Sequence, residues 1–259
     1  MSNPVFSRNQ VFAGTRPYTE ISATTLEQAY QQPAATPYDT GRMTYDDVIV
    51  KTAGMLAIVV VAGVATWMFA PPLMFVGVLG GLVLGLICSF KREPNRALIL
   101  GYAVFQGMAL GGISGFFEAA YSGIILQAVL ATLAVFTAVL LLFRSGKVRA
   151  TPKLTRFVLV AMLGYVIFSI VNLVLVWTHV LPDFGIRSVT VAGIPLGLLI
   201  SAFAILLGAY SFLIDFEFIK TGVESGAPGR YAWTAAFGLT VTLIWLYLEF
   251  LRLLSYLRN

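Results

Sequence analysis

From residue 44 onward the chain is a succession of long apolar runs divided by short polar breaks. A helix crossing a hydrocarbon core of about 30 Å needs about 20 apolar residues. Seven runs of that length fall at about 52–70, 72–90, 96–118, 123–143, 155–178, 189–214 and 232–257. Only Pro71-Pro72 divides the first two, and a proline pair stops a helix; undivided, those 39 residues are too many for one span. The pattern predicts an all-α polytopic membrane protein, a bundle of seven transmembrane helices.

Residues 1–43 read differently. They hold Pro4, Pro17, Pro33 and Pro37, several Ser, Thr and Gln, and no apolar periodicity. Such a segment buries too little surface to offset its ordering entropy. The expected organisation is therefore a disordered cytoplasmic tail over 1–43 and a membrane domain over 44–259. The tail lacks the apolar stretch of a secretory signal, so the first span is expected to act as an uncleaved anchor. Order is predicted to begin at Thr44-Tyr45-Asp46-Asp47, where Thr44 can cap a helix and Asp47 can reach back to it.

Composition narrows the class. The chain is 58% apolar and 11% charged, with a mean hydropathy of +0.86, whereas soluble domains run at about 45–50% apolar and about 25% charged. This excludes an ordinary soluble globule and a disordered chain. A single cysteine, Cys88, excludes a disulfide framework and a thiolate metal cage. The net charge of +5 is not a nucleic-acid signal, because the basic residues sit in short loops. Lys91, Arg92 and Arg96 follow the second run, and Arg144, Lys147, Arg149, Lys153 and Arg156 follow the fourth, while the loops after the first and third runs carry none. The positive-inside rule then places the N-terminus in the cytoplasm and the C-terminus outside a plasma membrane, against the mild objection of Arg252 and Arg258. Trp67 and Trp177 would join an outer aromatic belt, and Tyr231 and Trp233 an inner one.

Small residues recur at helical spacing: Gly77, Gly81 and Gly85; Gly107, Gly111 and Gly115; Gly193, Gly197 and Ser201. Such stripes let helix backbones approach in lipid. Packing within the bundle is the expected use, ahead of a dimer interface or a permeation seam. Pro195 is expected to kink the sixth helix near its start.

Charges inside the spans are the informative objects, because each is costly in hydrocarbon. Asp215 and Glu217 close the sixth run, Glu249 lies in the seventh, and Glu118 ends the third. Asp215 reads either as an interfacial carboxylate or as a pore-lining acid paired with Arg96 or with a second acid. Glu249 reads as a local partner of Arg252, three residues on, or as part of the same site. A rival motif, Gly112-Ile113-Ser114-Gly115, matches the G-x-S-G of rhomboid-type intramembrane proteases, with His179 as the one available histidine. A serine nucleophile needs a base within hydrogen-bond reach, and a packing role for Ser114 is the simpler reading. Retinal is excluded by the lack of lysine in the seventh run. No phosphate loop, metal-ligand cluster or cofactor motif is present.

Three stretches carry a resemblance: Met43-Thr44-Tyr45-Asp46-Asp47-Val48-Ile49-Val50-Lys51-Thr52, Ile214-Asp215-Phe216-Glu217-Phe218-Ile219, and Trp245-Leu246-Tyr247-Leu248-Glu249-Phe250-Leu251-Arg252-Leu253-Leu254. Together they resemble the Bax inhibitor (transmembrane BAX inhibitor motif) family, in its bacterial YccA-like branch, over about residues 43–259. The resemblance implies a seven-helix bundle with the last helix central, and a calcium leak gated by pH through acids on helices 6 and 7. It places those acids at Asp215 and Glu249, with Glu249 standing where the family pattern has Asp, and it suggests Arg96 as a latch on the site. A seventh helix starting at Arg230 carries Glu249 about 28 Å along its axis. The two acids are then expected to meet only if residues 222–240 make an extra turn outside the bilayer.

The expected function is a non-enzymatic, pH-sensitive cation leak, with calcium as the ion and the oxygens of Asp215, Glu217 and Glu249 as ligands. The alternative is a regulatory membrane protein that conducts nothing and binds a protease or quality-control partner, and the third reading is the serine protease. The expected partners are the lipid bilayer, a calcium ion and a membrane protease, with no nucleic acid and no cofactor.

Overall fold

A computed structural model describes residues 41–181 and 185–258. Seven helices follow one another: α1 Tyr45–Phe69, α2 Met74–Phe90, α3 Arg96–Ala120, α4 Ile124–Arg144, α5 Pro152–Trp177, α6 Leu196–Glu224 and α7 Ala232–Arg258. All seven are long and apolar enough to cross a membrane. Between α5 and α6 lies a two-stranded hairpin, β1 Thr190–Val191 with β2 Ile194–Pro195.

The predicted start holds. Thr44 Oγ1 accepts from the Asp47 backbone N–H at 3.1 Å, Asp47 accepts the Thr44 hydroxyl in return at 3.2 Å, and its other oxygen pairs with Lys51 at 2.9 Å. α1 therefore begins seven residues before the apolar run does. The sixth helix differs at both ends from its run. Residues 190–195 form the hairpin, and its two loop residues, Ala192 (φ 53°) and Gly193 (φ 82°), both take the left-handed backbone of a primed two-residue turn. Gly193 thus serves the turn and not a helix stripe, and Pro195 precedes α6 as its N-cap residue without kinking it. At the other end α6 runs on to Glu224. It stops where Gly226 adopts φ 66°, Ala227 N–H bonds Gly222 O at 2.9 Å and Gly226 N–H bonds Val223 O at 3.1 Å, a Schellman closure. α5 closes in the same way around His179 (φ 56°), whose N–H bonds Val176 O at 3.0 Å.

Helix α7 is the most buried of the seven and runs along α1, α3, α4 and α6, so the last helix is central. α2 is the exception to the surrounding ring, since it packs chiefly on α3. The glycine stripes serve this packing. A Cβ on Gly77 would lie 2.4 Å from the Ala109 nitrogen, and one on Gly107 2.5 Å from the Val59 carbonyl, so only glycine permits these backbone approaches.

The bundle has two distinguishable ends. One carries the connections 91–95, 145–151 and 225–231 and is tied by Arg230–Glu93 at 3.5 Å; it is called the basic-loop end below. The other carries the hairpin, where Arg258 at the end of α7 donates to Ser122 O at 2.8 Å and Gln127 Oε1 at 2.9 Å. Most of the expected N-terminal tail lies outside the described residues. Its last three residues are ordered: Gly229 N–H bonds Gly41 O at 2.8 Å, Met43 N–H bonds Ala227 O at 2.7 Å, and the Met43 side chain is 2% exposed among Phe212, Phe216 and Ala235.

Candidate functional site

The central helix carries one polar seam. Gly238, Thr242, Trp245, Glu249, Arg252 and Tyr256 recur at spacings of four and three, which keeps them on one face. That face meets α6 and, toward the hairpin end, α5. Asp215 of α6 accepts the Thr242 hydroxyl at 2.7 Å, opposite Gly238, where a Cβ would lie 3.4 Å from Asp215 Oδ1. Trp245 donates its indole N–H to Ala204 O at 3.3 Å and packs on the Tyr165 ring at 5.0 Å.

Asp215 does not end its helix, as the apolar run suggested. Nine residues of α6 follow it, which sets it about 14 Å from the helix end. It is therefore a residue of the helix body, one position past the apolar run, and not a helix-terminal one. Arg96 does not latch it. Arg96 is exposed at the start of α3, and no ion pair joins it to Asp215 among the described residues. Glu217, two residues on and off the Asp215 face, pairs with Arg149 at 3.6 Å.

Glu249 is 2% exposed, and a charge there is held by neighbours rather than by water. One carboxylate oxygen, Oε1, accepts the Tyr165 hydroxyl and Arg252 Nη1, the latter at 2.5 Å. Arg187, on the 3₁₀ turn Gly185–Ser188, donates Nη2 to the Tyr165 hydroxyl at 2.8 Å and lies over the Tyr165 and Phe168 rings at 5.4 and 5.7 Å. Burial works against the Arg187 charge, but its bond to Tyr165 and the nearby Glu249 outweigh this and hold its pKa above the ordinary arginine value. The turn itself is fixed by Asn172, whose side-chain oxygen accepts the Ile186 N–H at 2.8 Å.

The two acids do not meet. Seven residues of α7 separate Thr242 from Glu249, about 10 Å along the axis. Asp215 stands in the half of the bundle toward the basic loops and Glu249 in the half toward the hairpin. Asp215, Glu217 and Glu249 consequently form no shared oxygen cage, and no metal-holding group of three His, Cys, Asp or Glu occurs among the described residues.

The expected contact of Glu249 with Arg252 is present, but Tyr165 and Arg187 were missed. Arg187 had one legible signal: it is the only basic side chain in the loop between the fifth and sixth runs, on the side the positive-inside rule keeps poor in Lys and Arg. The protease reading finds no dyad. Ser114 Oγ and Tyr247 OH share a 2.7 Å hydrogen bond, and no bond joins Ser114 to His179, which closes α5 as described. Glu118 accepts Gly123 N–H at 2.6 Å and Ile125 N–H at 3.3 Å, and so stabilises the start of α4.

No curated protein matches this chain. A family model described as Bax inhibitor 1 like matches residues 3–259. With seven helices apolar enough to cross a membrane, this chain belongs to the Bax inhibitor 1 like family of membrane proteins.

Proposed function

We propose that the protein is a proton-sensitive cation leak whose path follows the seam between α6 and α7, with the basic-loop end in the cytoplasm. The observation that carries this reading is the staggered pair of acids on one seam, with Trp245 between them. Asp215 is the binding acid: its side-chain hydrogen bond is to a hydroxyl and not to a cation, which leaves a carboxylate and a hydroxyl oxygen for a hard ion such as calcium. Glu249 is the latch. Its carboxylate holds Arg252 directly and Arg187 through Tyr165, so α5, the hairpin loop and α7 stay together. Loss of these contacts releases the hairpin half. The latch thus falls to Arg252 and Arg187, in place of Arg96.

The test is calcium flux from loaded liposomes at pH 6 and pH 8. The expected flux is larger at pH 6. Asp215→Asn lowers it at both values, and Glu249→Gln, which weakens the hold on Arg252, raises it at pH 8. Trp245→Ala raises basal flux by removing the bulk that stands between the two acids. Equal calcium loss from protein-free and protein-bearing liposomes at both pH values refutes conduction. It would leave the regulatory reading, for which co-purification of a membrane protease is the measurement.

A further inference from the structure

At the hairpin end, a cavity of about 540 Å³ opens between α5 and α7. Its floor is polar, with Arg187, Arg252, Tyr165, Ser169 and Glu249, and its rim on α5 is apolar, with Ile170 and Leu173 among the side chains that the bundle leaves exposed. Three formal charges line it: two guanidinium groups against one carboxylate. Glu249 balances one of them, so the cavity keeps a surplus of one positive charge among the described residues. The surplus is not on the surface. Arg187 is 6% exposed, and its Nη1 is buried with no hydrogen-bond partner, although Nη2 is fully engaged with Tyr165 and Ser169. A buried cationic donor without an acceptor is costly and calls for one.

We infer that this cavity is a binding site for a phosphate oxyanion carrying one negative charge, held by Arg187 and Arg252. One negative charge neutralises the surplus, and tetrahedral oxygens suit guanidinium forks, which bind phosphate with paired N–H donors. Arg252 lies six residues from the end of α7, about 9 Å, which is a depth that a lipid phosphate reaches. The apolar rim on α5 suits the glycerol and first methylenes of a phospholipid, whereas a free phosphate would use the floor alone. The inference is separate from conduction, since it concerns occupancy of the cavity and not flux.

The test uses the full chain purified in a phosphate-free maltoside detergent. Short-chain phosphatidylglycerol, glycerol phosphate and inorganic phosphate are each titrated while the thermal midpoint is followed. At about a hundredfold excess over its Kd, the bound species raises the midpoint by roughly 5–10 °C. A saturable shift with the short-chain lipid alone assigns the site to a headgroup. Comparable shifts with all three assign it to a free oxyanion. Arg187→Gln abolishes the shift, and Ile170→Trp, which narrows the mouth from an exposed position and so spares the fold, abolishes the lipid shift. Arg230→Gln, at the other end, leaves it intact. Absence of a shift with every probe overturns the inference, as does a shift in Ile170→Trp and Arg187→Gln equal to that of the parent chain.

Discussion

Replacing Gly111 by alanine tests whether α1 and α3 are held at backbone contact. A Cβ on Gly111 would lie 2.2 Å from the carbonyl oxygen of Gly63 and 3.0 Å from its Cα. Ordinary contact begins near 3.4 Å, so the helices must separate by about 1.2 Å, and no rotamer can relieve a clash with main-chain atoms. Overpacking of this kind costs roughly 1–3 kcal/mol, and the case belongs at the upper end because both partners are backbone. The better helix propensity of alanine returns about 1 kcal/mol. The net loss is about 2 kcal/mol, or roughly 4–8 °C in melting midpoint for a chain of this size. Gly164→Ala is the matched control, since nothing lies within 4 Å of a Cβ there; it should hold the parent midpoint or rise slightly. Thermal unfolding of the purified variants in detergent, followed by tryptophan fluorescence, makes the comparison. Equal midpoints for Gly111→Ala and Gly164→Ala would refute the close approach of α1 and α3.

Two further outcomes are expected. Met43→Ala empties a fully buried volume and should cost about 2–5 kcal/mol, read as a lower midpoint, whereas deletion of residues 2–40 should leave the midpoint unchanged because the Gly41–Met43 strap and the Thr44 cap are retained. A reporter fused after Gly146 should read cytoplasmic and one fused after Asn259 external; a cytoplasmic C-terminus overturns the proposed orientation.

The seven spans were legible because hydrocarbon imposes a length and a composition on every crossing helix. Their ends were not, and for a physical reason. Hydropathy reports where a helix meets lipid, while α6 continues for ten residues past its apolar run through Asp215, Glu217 and Lys220 until Gly226 supplies a left-handed stop. The same extension changes the site, since it moves Asp215 from a helix end into the helix body. The local capping at Thr44 could be read because its partners lie three residues away. The partnership of Tyr165 and Arg187 with Glu249 could not, because they reach it from 84 and 62 positions away along the chain, and only the tertiary packing brings them together.

The short strap at Gly41–Met43 also has a mechanical side. Its two backbone bonds run to Gly229 and Ala227, in the connection between α6 and α7. A pull on the chain ahead of Gly41 is therefore delivered to two places at once: to the first turn of α1 and, through the strap, to the hairpin of helices that carries Asp215 and Thr242.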